Sequence, residues 1–156
     1  MPEIFRFFCS LVISLFLLFC IITGCSTETN FTTRQEEKYT LIKADTLIQF
    51  YVSTSNKKVS LNLSPDKYYT WYSRDSIYQT KGDFSGKLLN GTYVELYPNR
   101  ALKLKGTYKQ GLKEGVWKSW YPSGKMESMT TWDAGSKNGK FRKYDQEGKM
   151  SEEGSY

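Results

Sequence analysis

Side chains able to do covalent or acid–base chemistry are scarce in this sequence, which has three cysteines and no histidine. Cys9 and Cys20 lie inside an apolar N-terminal run and Cys25 lies just beyond it. Nucleophilic, metal-binding or disulfide chemistry of a thiol therefore rests on Cys25 alone once that run is set aside. Without histidine, the commonest general base and a principal zinc and copper ligand are missing. A phosphate loop needs G-x-x-x-x-G-K-[ST]. The stretch Gly82-Asp83-Phe84-Ser85-Gly86-Lys87 has one residue too few between its glycines and continues with Leu88, and it lies among hairpin-forming residues rather than at a strand-to-helix junction. The acidic pair Glu152 and Glu153 reads as a solvated end rather than as a general acid and base. These residues point away from an enzyme and imply no metal and no other cofactor.

What the chain carries instead is a repeat, and the repeat dictates the elements. Moving residues 115–139 back by 24 positions aligns Gly91, Tyr93, Tyr97, Pro98, Gly106, Tyr108, Gly111 and Gly115 with Gly115, Trp117, Tyr121, Pro122, Thr130, Trp132, Gly135 and Gly139; only the Gly106 column changes class. Moving forward by the same step aligns Gly139, Phe141, Tyr144, Gly148, Lys149, Met150 and Tyr156 with Gly115, Trp117, Trp120, Gly124, Lys125, Met126 and Trp132. A fixed period of this size marks a repeat architecture in which no unit buries its apolar face alone. Within one unit, residues 116–121 and 125–132 are aromatic and β-branched enough for two strands, and Tyr121-Pro122-Ser123-Gly124 between them is a turn sequence. Each unit is thus a β-hairpin. The chain is expected to be all-β, an antiparallel meander of hairpins growing by two strands per repeat.

The pattern G-x-W-x-x-W-Y-P-S-G-K, followed by an aromatic residue and G-x-x-x-G, resembles the MORN repeat variant found in many bacterial proteins, including a group of toxin–antitoxin antitoxins. The resemblance covers residues 91–156, as units 91–114, 115–138 and 139–156, with residues 67–90 as a degenerate first unit that keeps the spacing but loses several glycines. Arg100 stands where the pattern has glycine. Gly91, Tyr93, Gly115, Trp117, Trp132, Gly139 and Phe141 fall on structural positions of the repeat, the glycines serving turns. The resemblance implies a scaffold defined by shape, with little chemistry of its own, and the antitoxin group implies a protein partner.

Ahead of the repeats, residues 1–24 read as a targeting segment: Arg6 precedes an uncharged run from Phe7 to Thr23 rich in Phe, Leu and Ile. Ile22-Thr23-Gly24-Cys25 resembles the bacterial lipobox, which implies that Cys25 receives a diacylglyceryl group and becomes the mature N-terminus, attached to a membrane. An uncleaved anchor helix is the alternative, since the run approaches the roughly 20 residues that span a bilayer. Residues 26–38 lack periodicity and read as a flexible tether of about 13 residues, reaching on the order of 20 Å. Ser26, by resemblance to enterobacterial sorting, favours the outer membrane over the outer face of the cytoplasmic membrane. Residues 39–66 turn strand-like over 39–43, 47–53 and 59–63 and are expected to begin the same sheet as an N-terminal cap.

Alternation along the strand puts Trp117, Ser119 and Tyr121 on one side and Val116, Lys118 and Trp120 on the other. Equivalent rings one repeat apart are two strands apart, roughly 9.6 Å, too far to touch, so Tyr108, Trp132 and Tyr156 on the intervening strands are expected to fill the gaps. The rings are first of all structural. Net charge is +6, with much of it on lysines of the repeats, which solubilise and protect open strands or attract an acidic partner or anionic lipid. Nucleic acid does not suit an exported, tethered chain. The expected function is binding of a protein partner in the cell envelope through residues outside the ring ladder, Lys118, Arg142 and Tyr144, as a scaffold or immunity-like protein. A glycan or peptidoglycan module using exposed rings is the alternative.

Overall fold

Short runs of aromatic and β-branched residues, punctuated by Gly, Asp, Asn and Pro, favour strands joined by tight turns, and that is how the chain folds. The structure is a computed structural model that describes residues 36–54 and 63–156. Among the described residues there are ten strands and no helix: β1 (Glu36–Lys43), β2 (Thr46–Ser53), β3 (Tyr68–Ser73), β4 (Ser76–Lys81), β5 (Lys87–Leu96), β6 (Leu102–Lys109), β7 (Leu112–Trp120), β8 (Met126–Asp133), β9 (Ser136–Tyr144) and β10 (Met150–Ser155). They form an open antiparallel sheet in the order β1-β2-β5-β6-β7-β8-β9-β10, with β3 paired to β4 and to the first residues of β5.

The turns recur with the sequence. Tyr97, Tyr121 and Asp145 donate their N–H groups to the carbonyls of Ala101, Lys125 and Lys149, each at 2.9 Å. The exit residue of each turn is left-handed: Arg100, Gly124 and Gly148 at φ 63°, 82° and 88°. Arg100 therefore accepts the conformation that glycine supplies elsewhere, despite the steric cost of its Cβ. Two-residue turns close the other hairpins of the repeats. Gln110-Gly111 and Ala134-Gly135 have positive φ at both positions, as turns matching the strand twist require.

Gly91, Gly115 and Gly139 sit inside strands, not in the turns expected for them. At φ 106°, 66° and 97° each occupies a bulge where three residues of β5, β7 or β9 face one residue of the neighbouring strand. Lys105 pairs with Lys118 and Thr107 with Glu114, leaving Gly106 opposite Gly115, Val116 and Trp117. Such bulges bend a strand and increase local twist while re-aiming side chains.

The core lies on one face of the sheet, against the β3–β4 hairpin. Ile48, Phe50, Val52, Leu89, Tyr93, Tyr108 and Trp117 form its buried cluster, with Tyr72 and Ile77 of the hairpin packed on it. Tyr108 meets Tyr93 at 5.5 Å and Trp117 at 5.0 Å between ring centroids, filling a gap as expected. The equivalent rings Tyr93 and Trp117 nonetheless touch, at 5.7 Å, contrary to the spacing argument. The reason is Gly106: an added Cβ there would lie 2.2 Å from Cδ2 of Trp117, so the ring leans over a bare backbone toward its neighbour. Thr130 takes the corresponding place one step further on, opposite Phe141, and Gly154 lies beneath Phe141 on the other side.

Two expected boundaries move. Glu36, Glu37 and Lys38, assigned to the tether, belong to β1, because Glu36 to Ser53 and onward is a continuous register with β2. Residues 67–90 do not supply two more strands of the meander. Their hairpin leaves the sheet path, and β2 pairs directly with β5. The segment 1–24, Cys25 and most of 26–38 lie outside the described residues, as does nearly all of the strand expected over 59–63.

Candidate functional site

Two surfaces remain after the core is accounted for, one on each face. On the face opposite the rings, backbone register lines up Val94, Lys105, Lys118, Met129, Arg142 and Glu153 across six strands. Toward the turns closed by Tyr97, Tyr121 and Asp145, Leu96 pairs with Leu102, Trp120 with Met126 and Tyr144 with Met150. Each pair stands at the same place in its unit. Leu102 and Met150 are 38% and 46% exposed, and Trp120, Met126 and Tyr144 are half-buried. The β3–β4 hairpin packs on the other side, so the described chain lays nothing over this row.

Lys118, Arg142 and Tyr144 are therefore brought onto one open face. Lys118 is exposed, and Arg142 forms an ion pair with Glu153 at 3.3 Å. Tyr144 accepts a hydrogen bond at its backbone carbonyl from the Tyr121 hydroxyl, at 2.8 Å, which repeats the bond from Tyr97 to the Trp120 carbonyl. The turns are thus stitched to the next unit, and the side chains between them keep their spacing. A face of this kind, apolar rings and thioethers beside spaced cations, can desolvate against a protein surface.

The second surface is a cleft of about 290 Å3 between the hairpin and the ring face, lined by Tyr68, Thr70, Gln79, Lys113, Trp132 and Gly135. The backbone N–H of Gly135 donates to the Lys113 carbonyl at 2.9 Å, as Gly111 does to Leu89 at 2.7 Å. Lys113 thereby stands one unit after Leu89. Its ammonium lies 4.4 Å from the Trp117 ring and 4.7 Å from the Trp132 ring, a cation–π geometry. The same arrangement follows one unit later, with Lys137 over Tyr156 at 4.8 Å. Burial lowers the Lys113 pKa below that of an ordinary lysine, with Lys137 adding to the effect and Glu95 opposing it. Lys113 forms no ion pair with any described residue. The change from Leu89 to Lys113 and Lys137 along this column was readable in the 24-residue register, but only pairing reveals the ring on each side of Lys113.

The ladder residues behave as structure. Trp117 is 4% exposed and Tyr93 and Tyr108 are buried, whereas Trp132 and Phe141 are half-buried. Burial pushes the Tyr108 phenol up to about 12 and raises Tyr93 further, aided by its hydrogen bond to Glu95 at 2.8 Å. The acidic pair is engaged: Glu152 meets Lys143 at 2.7 Å and Glu153 meets Arg142. Lys87, which ends the loop-like glycine stretch, donates to Glu37 and to the Tyr39 hydroxyl, each at 3.0 Å. Among the described residues no three His, Cys, Asp or Glu side chains gather in a way that could hold a metal ion. Comparison with known proteins returned no match to a family model, to a curated protein or to a solved structure.

Proposed function

We propose that this chain is a non-catalytic lipoprotein of the bacterial envelope, anchored through Cys25, whose MORN-like sheet of repeated hairpins binds a protein partner through its open face. The observation that carries the reading is the row on that face: Leu96 with Leu102, Trp120 with Met126 and Tyr144 with Met150, flanked by Lys105, Lys118 and Arg142. Its mixture of apolar and cationic side chains suits a partner surface that is itself part apolar and part acidic. Recurrence of turns, bulges and inter-unit hydrogen bonds at 24-residue intervals supports the repeat reading. A glycan module would favour one continuous uncovered row of rings. Tyr93, Tyr108 and Trp117 are instead buried, which is why a protein is preferred as the main partner. The test is crosslinked recovery from intact envelopes, with wild type beside the double charge reversal Lys118→Glu, Arg142→Glu. Losing the exposed Arg142–Glu153 pair costs at most about 1 kcal/mol and the new carboxylate facing Glu153 across the strands costs up to about 1 kcal/mol more, and circular dichroism checks that the variant stays folded. One dominant protein recovered with wild type and lost with the variant is expected; recovery insensitive to charge reversal contradicts the reading.

A further inference from the structure

Leu89 and Lys113 occupy equivalent places one unit apart, yet one is fully buried and the other puts an ammonium group beside the β3–β4 hairpin. A leucine at position 113 would pack between Trp117 and Trp132 without any cost of charge burial. Among the described residues Lys113 forms no ion pair, Glu95 acting on it only through space, and ring faces hold its charge without consuming its N–H donors. A cation so placed has N–H donors left with which to hold an anion through short charge-assisted hydrogen bonds.

The remaining walls narrow the choice. Gln79 offers an exposed amide, which donates at 3.4 Å to the hydroxyl of Thr70, itself only 4% exposed and therefore a residue that orients the amide. Tyr68 is 57% exposed and Trp132 half-buried, so ring surface is open to a ligand. The cleft falls at or below the smallest volumes that bury drug-sized molecules, which suits a single ring. A phosphate dianion is ordinarily held by several converging donors, an arginine fork or backbone N–H groups beside a lysine, whereas this lining offers one ammonium. A peptide terminus is ordinarily taken up along a strand edge or in a backbone nest; β7 and β8 are paired on both sides, and the edge strand β4 contributes the side-chain amide of Gln79.

We propose that the cleft lined by Tyr68, Thr70, Gln79, Lys113 and Trp132 binds an acidic sugar, a pyranose carrying one carboxylate, with the carboxylate on the Lys113 ammonium. The hydroxyls meet the Gln79 amide, which Thr70 orients from beneath, and the C–H face of the ring lies against aromatic surface. The site is on the opposite side of the sheet from Lys118 and Arg142, so it stands or falls independently of the protein partner.

The probe is D-glucuronate, titrated into the purified protein with tryptophan fluorescence and amide NMR shifts as readouts. Saturable binding that weakens with added salt is expected, with shifts centred on Lys113, Trp132 and the hairpin. Losing one charge-assisted hydrogen bond weakens binding by about tenfold or more, so Lys113→Gln should show that loss and Lys118→Gln should show none. Lys113→Leu should also lose binding while melting no lower than wild type, which separates a ligand role from a folding role. D-Glucose should fail to bind, and acetate should bind more weakly than glucuronate. Absence of saturable binding, unchanged affinity in Lys113→Gln, binding of glucose equal to glucuronate, or acetate as tight as glucuronate would each overturn the proposal.

Discussion

Replacing Gly106 with alanine should unfold the protein more readily than replacing a repeat glycine whose backbone conformation is the less permissive one. A Cβ at Gly106 would lie 2.2, 2.3 and 2.7 Å from Cδ2, Cε2 and Cε3 of Trp117. Those are ring atoms of a side chain only 4% exposed, with Tyr93 at 5.7 Å and Tyr108 at 5.0 Å on its flanks. The ring has nowhere to slide. If β6 shifts, the cost is that of overpacking, about 1–3 kcal/mol; if the ring is expelled, it approaches the roughly 3–5 kcal/mol of deleting a buried aromatic. We expect about 3 kcal/mol. Gly115→Ala meets no atom within 4 Å but sits at φ 66°, so its cost is the left-handed strain alone, about 1–2 kcal/mol. Urea unfolding followed by tryptophan fluorescence measures both. In the double variant Gly106→Ala, Trp117→Ala the new methyl falls in the space the ring vacated, so it should be no less stable than Trp117→Ala. A Gly106→Ala protein within about 0.5 kcal/mol of wild type, or full additivity in the double variant, would refute the packing argument.

Arg100→Gly should stabilise by about 1 kcal/mol, because φ is 63° at that turn and glycine removes the left-handed penalty; a lower melting temperature would contradict this. At alkaline pH the sign follows from the phenols: Tyr93 and Tyr108 have folded values raised by burial above those of the unfolded chain. Their contribution is whole below about pH 10 and is lost as pH rises through about 12 for Tyr108. Denaturant midpoints should fall across that window, while phenolate absorbance of the folded protein leaves these two rings un-ionised at its start. At the N-terminus, palmitate should label the wild type, and Cys25→Ala should abolish labelling and leave an unprocessed precursor; an unlabelled wild type of unchanged size would contradict the anchor.

Residues 91–156 were the most legible part of the chain because glycines and rings recur there at 24-residue spacing and most turn residues suit their turns, Arg100 and Asp145-Gln146 being the departures. Most turn sites follow from the Tyr-Pro and x-Gly pairs, and the last from Asp145 and Gly148. The contact between Tyr93 and Trp117 was not legible, since strand spacing treats side chains as upright and Gly106 lets one lean. Nor was the departure of β3 and β4. Lys67 replaces the bulge glycine of the repeat, and Arg74-Asp75 closes the hairpin with two residues, both at positive φ, so this unit lacks the bulge and wide turn that continue the sheet. Its rings instead pack Tyr72 on Tyr39 and Phe50, at 4.5 and 5.3 Å. Lys118, Arg142 and Tyr144 could be placed on one face by alternation. Lys113 could not be singled out, because the feature that distinguishes it is a tertiary neighbour, the hairpin, rather than its own segment.

Photocrosslinking from single positions in intact cells locates the binding face directly. A photoreactive residue replaces either Lys105 or Lys118, both exposed on the open face, or Lys137 or Lys143, both on the ring face. The open-face positions should each yield the same single protein adduct, and the ring-face positions should yield none. An adduct from Lys137 and Lys143 alone, or no protein adduct from Lys105 and Lys118, would contradict the assignment of the open face to a protein partner.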